Sequence, residues 1–174
     1  ETTGGVVSGP NTYSVDDPLA EPNLLFEQVE NGRFQLVDPK GGTSALLIGS
    51  SHGVASGDID GDGGVDLVVV NSNASLNILR NVVTNRGNWI SLKILNEHGS
   101  DSLRAQVKLE LEDGSYLYSQ VRSSSGYASA HDPKIHFGLG DQAVTSVKVT
   151  WRDGTTRVLI NPELHRIHTV EYAE

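Results

Sequence analysis

The sequence predicts an all-β protein. Short apolar runs are punctuated by turn residues throughout, with 19 glycines and 6 prolines among 174 residues. Stretches with helical period are few. Hydrophobic residues make up 37% of the chain, which is low for a globular protein and suits strands with one apolar face better than deeply buried elements.

The length suits one domain of good size or two small ones. No apolar run approaches the roughly 18 residues of a membrane helix, so membrane insertion is not expected. Thirteen Lys and Arg against 22 Asp and Glu leave a net charge of −9. That balance argues against nucleic acid as a partner and against a basic membrane-docking surface. Cysteine is absent, so neither disulfides nor thiolate ligands are available. The chain starts at Glu1 without Met or a leader, as in a processed polypeptide or an excised piece.

Along the chain, residues 1–22 are polar and hold Gly4, Gly5, Gly9, Pro10, Pro18 and Pro22. They predict an extended N-terminal arm that docks on its own domain or on a neighbouring copy. Residues 23–83 form a first module, with strands expected at Leu24–Val29, Arg33–Val37, Gly53–Ile59, Val65–Asn71 and Ser75–Arg80. Asn73-Ala74-Ser75 has the form of a glycosylation sequon, a triplet that also arises by chance.

The most informative stretch lies inside this module: Asp58-Ile59-Asp60-Gly61-Asp62-Gly63-Gly64-Val65-Asp66. Carboxylates at loop positions 1, 3, 5 and 9 repel one another, and a hard, oxygen-seeking cation relieves that repulsion. The glycines let the loop fold back so that alternate side chains converge. Position 12 is Val69, and the flanks Val54-Ala55-Ser56-Gly57 and Leu67-Val68-Val69-Val70 read as strands, so this is not an EF-hand. A strand–loop–strand Ca²⁺ site is expected, with the carboxylates of Asp58, Asp60, Asp62 and Asp66, the carbonyl of Gly64, and water as ligands. The competing reading is an acidic, solvated turn.

The segment from His52 to Asn71, with Asn23-Leu24-Leu25-Phe26 and Gly32-Arg33-Phe34 upstream, resembles an FG-GAP/VCBS repeat. The resemblance implies one blade of a β-propeller, as in integrin heads and bacterial surface proteins. It carries the family's calcium ligands onto Asp58, Asp60, Asp62 and Asp66. A propeller closes with roughly four to eight blades. A single blade leaves open edges that must be covered.

Residues 88–174 read as a second module, a C-terminal antiparallel β-sandwich against which the blade is expected to pack. Trp89–Leu95 alternates as a strand. Val107, Leu109 and Leu111 share one face of the next, Asp113-Gly114 reads as a type I′ hairpin turn, and Tyr116–Arg122 returns. Lys134–Gly138 starts a further strand, with Ile135 and Phe137 on one face and His136 on the other. Val147, Val149 and Trp151 share a face before a second Asp-Gly turn at Asp153-Gly154. Thr156–Ile160 returns, and His168–Tyr172 closes the chain. Gly138 and Gly140 are expected where backbone angles exclude other residues.

Ser125-Gly126-Tyr127, His136-Phe137-Gly138-Leu139-Gly140 and Val147-Lys148-Val149-Thr150-Trp151-Arg152-Asp153-Gly154 resemble the ASPIC/UnbV domain. That domain typically follows FG-GAP repeats in bacterial secreted proteins and in the cartilage acidic protein family. Two departures stand out. Arg104-Ala105-Gln106-Val107 replaces a Gly-Ala-Arg-Val type of strand start, and Trp151-Arg152-Asp153-Gly154 replaces Trp-Pro-Asp-Gly. Both are turn or edge positions.

Other groupings carry less. His131, His136, His165 and His168 are too loosely spaced for a zinc frame and have no cysteine to help. Ser123-Ser124-Ser125-Gly126-Tyr127 lacks the Gly-x-Ser-x-Gly elbow. No acid pair stands out as a glycosidase couple. Tyr13, Tyr116, Tyr118 and Tyr127 are available to a sugar platform, but aromatics are only 6% and no platform is visible. No catalytic residue is assigned.

The expected function is therefore that of a non-enzymatic, extracellular or cell-surface, calcium-binding structural or adhesive protein. Self-assembly through arm or strand exchange, with a filament as one form of it, is the favoured mode. The alternatives are a glycan- or protein-binding module of a larger surface protein and a non-catalytic fragment of a secreted hydrolase. Expected partners are copies of the chain, other extracellular proteins, or glycans.

Overall fold

The structure, a computed structural model, describes residue 17, residues 19–37, residue 43 and residues 45–172. Most of the expected arm, residues 1–16 and 18, lies outside the described residues. The described residues are all-β, with one short 3-10 turn at Glu30–Gly32 and no α-helix. No helix among them is long and apolar enough to cross a membrane. The strands of the described residues close no barrel. The chain divides into two compact units: Glu1–Ala55 with Leu67–Leu79 and Gly126–Ala130, and Ser56–Asp66 with Arg80–Ser125 and His131–Glu174.

The first unit is built from short pieces. β1 (Glu21–Pro22) pairs antiparallel with β4 (Ile48–Gly49), and β2 (Phe26–Gln28) with β3 (Phe34–Leu36). β5 (Ser51–Gly57), β6 (Asp66–Asn71) and β7 (Asn77–Leu79) form a sheet in that order. The last two residues of the expected arm, Glu21 and Pro22, are thus paired within their own unit. Pro22 lacks an N–H, and a two-residue edge strand is where that lack is tolerated. The Ser51 hydroxyl bonds the Asn23 and Asn71 side chains at 2.9 and 2.8 Å. Among the described residues, few large side chains are buried here beyond Val69. Phe26, Phe34, Leu36, Ile48, Val70 and Ile78 are all exposed.

The second unit holds the core. β9 (Gln106–Leu111), β10 (Tyr116–Gln120), β12 (Val144–Thr150) and β13 (Thr156–Ile160) form a sheet in the order β10-β9-β12-β13. β8 (Asn88–Ile94), β11 (Ile135–Gly140) and β14 (Ile167–Val170) form a second sheet in the order β11-β8-β14. Alternation sends Ile90, Leu92 and Ile94 from one sheet, and Val107, Leu109, Val147 and Val149 from the other, into one buried cluster. Each such side chain contributes about 1.5–3 kcal/mol on burial.

Two details differ from the sequence reading. β14 runs parallel to β8, so the sandwich is not wholly antiparallel. The chain leaves β13 in one sheet and crosses to the other, and a crossover of this kind permits a parallel pair. The Asp113-Gly114 turn is not type I′. Only Gly114 has positive φ (81°), Gly114 N–H donates to Leu111 O and Leu111 N–H to Ser115 O. This is a type I turn closed by a glycine bulge, and Asp153-Gly154 repeats it. Gly140 does need a left-handed backbone (φ 58°), whereas Gly138 does not.

β8 is buried on both faces over Trp89–Leu92. Ile90 and Leu92 face the core. Trp89 and Ser91 face the other way, where the aspartate-rich loop of the same unit lies.

Candidate metal centre

The loop between β5 and β6 is organised by its own carboxylates. Asp58 accepts the backbone N–H groups of Gly61 (2.8 Å), Asp62 (3.1 Å) and Gly63 (3.0 Å), which curls the chain around it. Gly61 (φ 74°) and Gly63 (φ 84°) supply the left-handed turns that this curl requires. Asp66, the first residue of β6, is 2% exposed. Its two oxygens accept the N–H of Ile59 (2.9 Å) and of Asn81 (2.8 Å), tying both ends of the loop together.

Carboxylate oxygens of Asp58, Asp60 and Asp66 lie within 4.8 Å of one another. Two oxygens bound to one Ca²⁺ at about 2.4 Å can be at most about 4.8 Å apart, so this spacing fits a shared cation. The all-oxygen donor set is the chemistry of a hard ion. No histidine joins this group among the described residues.

Asp62 stands outside that trio. Arg86 grips its carboxylate at 2.9 and 3.0 Å and also donates to its backbone carbonyl at 3.0 Å. Arg80 lies 2.5 Å from Asp60 and 3.5 Å from Asp62. The Gly64 N–H, at 2.8 Å, is the largest cause holding the Asp62 carboxyl below its usual range. Desolvation works the other way, and Arg86 and Arg80 add to the lowering. Gly64 itself is wedged between Arg86 and Asn81, where a Cβ would come within 3.0 and 3.1 Å of their atoms.

Arg86 and Trp89 are parts of this site that sequence reasoning missed. Neither sits in the aspartate run. The only available signal was the charge problem itself, because clustered carboxylates call for local cations.

The face around Trp89 is polar. His136 stacks on the indole at 5.8 Å, and its Nδ1 lies 2.9 Å from Ser91 Oγ. Burial pushes the His136 pKa down, against an upward pull from Asp58. Asp132 pairs with Lys134 at 2.9 Å, and these groups line a cavity of about 110 Å³ with Asp58 and Ile167. Ser56 N–H donates to His131 Nδ1 at 3.1 Å. His165 bonds Asn88 at 3.0 Å and His168 the carbonyl of Glu163 at 2.7 Å. His136 and His165 thus both flank Trp89, at 5.8 and 6.1 Å, while His131 and His168 serve other contacts.

Residues 96–174 match the ASPIC and UnbV family, so this domain is present in the chain. The chain is also similar to cartilage acidic protein 1. It is 28% identical to the Xenopus tropicalis protein over 151 residues, 81% of this chain and 23% of that protein. It is 28% identical to the Mus musculus protein over 159 residues, covering 87% and 25%. The Homo sapiens protein is 29% identical over 157 residues, covering 86% and 24%. The chain spans about a quarter of the length of these relatives.

Proposed function

We propose that this chain is a non-enzymatic extracellular module. In this reading a Ca²⁺ ion staples the loop between β5 and β6, and the uncovered strands of residues 23–83 associate with further copies of the chain. The observation that carries the calcium reading is the convergence of Asp58, Asp60 and Asp66. Asp62, held by Arg86, and the carbonyl of Gly64 complete the proposed set as the arginine gives way. Calcium bound only by the folded state adds about RT ln(1 + [L]/Kd) of stability. A site of about 10⁻⁴ to 10⁻³ M fills only where free calcium is high, which is outside the cell. The relatives are named for cartilage and for acidity, and this chain is acidic too, at −9.

Self-association is favoured by the apolar side chains that short strands leave in water, Phe34 at 68% and Ile78 at 64% exposed among them. The Ser91–His136 pair is read as structural, because Ser91 is only 3% exposed at the wall of the small cavity that the two residues share. Sedimentation velocity and electron microscopy with millimolar calcium and with chelator test the proposal. Calcium-dependent oligomers are expected. A strict monomer in millimolar calcium overturns self-association, and a melting temperature indifferent to calcium overturns the staple.

A further inference from the structure

We propose that the outer face of the β10-β9-β12-β13 sheet binds an acidic polysaccharide. The strand registers build this face row by row. Gln120, Gln106 and Thr150 stand side by side in one row, and Tyr118, Lys108 and Lys148 in the next. At the end of the first row a cleft of about 400 Å³ opens, with the two carboxamides and Thr150 along it and Arg104 and Arg152 beside them.

The charge on this face runs against the rest of the chain. Arg104, Arg122 and Arg152 are exposed, and none has a carboxylate within 4.0 Å among the described residues. With Lys108 and Lys148 they gather five of the 13 basic residues of a chain whose net charge is −9. The acids nearby are already engaged by hydroxyls. Glu110 accepts from Tyr116 at 3.2 Å and Ser146 at 3.0 Å, and Asp153 accepts from Tyr172 and from Thr155 at 2.9 Å. Arg104 also holds a left-handed backbone, φ 73°, which L side chains rarely adopt. A guanidinium kept at such a position without an ion-pair partner points to an external anion.

The remaining groups select a saccharide among anions. Guanidinium groups without a carboxylate partner match carboxylate or sulfate in bidentate geometry. Gln106 can both donate to and accept from sugar hydroxyls, while the Gln120 carboxamide donates to the Arg104 carbonyl at 3.3 Å and accepts from Arg122 Nε at 3.4 Å, which holds the two arginines beside it. Lys108 Nζ sits 3.6 Å over the Tyr116 ring, while Tyr118, 68% exposed, presents a flat ring for the apolar face of a pyranose. Nucleic acid is disfavoured, because the net negative charge opposes a long polyphosphate. The surface uses no residue of the aspartate loop, so it stands apart from the calcium reading.

The test is affinity electrophoresis of the full chain through gels holding polygalacturonate, heparin, neutral dextran or duplex DNA, each with and without calcium. Retardation by polygalacturonate, by heparin, or by both is expected, and which one identifies carboxylate or sulfate as the anion. Dextran should have no effect. The R104G/R152Q double variant should bind about tenfold more weakly, as expected for lost charge-assisted contacts. Glycine suits the backbone at 104, and residue 152 is exposed, so a folded variant is expected, checked by circular dichroism. The Tyr118→Ala variant should also bind more weakly. No retardation by either acidic polymer, undiminished binding by the double variant, or equal retardation by DNA would each overturn the proposal.

Discussion

Gly63 lies flat against Trp89: a Cβ added at Gly63 would sit 2.1 Å from Cε2 of the indole. The aspartate loop therefore rests on the face of β8 that points away from the sandwich core. A close contact of this kind couples the shape of a candidate ion site to a buried aromatic, and it gives the site a built-in optical reporter.

Gly63→Ala should be strongly destabilising. The new methyl meets the indole, and φ at this position is 84°. Overpacking and left-handed strain together suggest a loss of about 2–4 kcal/mol. Urea denaturation followed by fluorescence measures it, and wild-type stability in this variant would refute the contact.

Calcium should change the fluorescence of Trp89 and raise the melting temperature. At 100 times Kd the gain is about 2.7 kcal/mol. Asp60→Asn should abolish most of that gain while leaving calcium-free stability nearly unchanged, since Asp60 is exposed. Asp66→Ala should destabilise the calcium-free protein as well, by about 2–4 kcal/mol, because the N–H groups of Ile59 and Asn81 lose their buried acceptor. Equal behaviour of the two variants without calcium would contradict these roles.

Arg86→Gln should tighten calcium binding several-fold. The substitution removes a positive charge and releases the Asp62 carboxylate. Calorimetric titration at low salt measures the effect, which should shrink as salt rises. Weaker binding in this variant would mean that Arg86 organises the loop more than it competes with the ion.

Leu109→Ala should cost about 2–5 kcal/mol, since Leu109 is fully buried between the sheets. Denaturant unfolding measures it. A cost under about 1 kcal/mol would indicate that the two sheets do not share a single close-packed core.

The Asp153–Tyr172 contact should stabilise the protein only between two pH limits. The Tyr172 hydroxyl, first, and the Thr155 N–H hold the Asp153 carboxyl below its usual range. Such a group stabilises the fold above its unfolded pKa, about 3.9, and that contribution is lost as pH falls through the lower folded value. Asp153 in turn holds the Tyr172 hydroxyl above its usual range, so Tyr172 contributes below about pH 10 and loses its effect as pH rises through the higher folded value. The melting temperature of Asp153→Asn should therefore trail the wild type at pH 7 and converge with it in strong acid. A gap that stays constant down to pH 2 would rule this out.

The strands of the second unit were legible because alternation is a local property. Val107, Leu109 and Leu111 declare their face within six residues, and the structure buries all three. The aspartate loop was legible for the same reason, since Asp58, Asp60, Asp62 and Asp66 all fall within nine residues. The type of the Asp-Gly turns was not, because the dipeptide is compatible with more than one turn and the hairpin register chooses between them. The parallel pairing of β14 was hidden likewise, being set by which sheet edge the chain meets after leaving β13. Arg104 and Arg152, read along the chain as two unrelated departures at turns, come together in one cleft.

By itself the sequence determined the all-β class, the alternating faces, and a glycine-broken loop of carboxylates able to curl, because each of these follows from residues within a few positions of one another. Tertiary structure alone decided that Asp58, Asp60 and Asp66 converge while Asp62 turns to Arg86, and that Trp89 supports the loop instead of the core. Those outcomes depend on which distant side chains share a small volume. Charge compensation and packing settle that only when the strands are already in place.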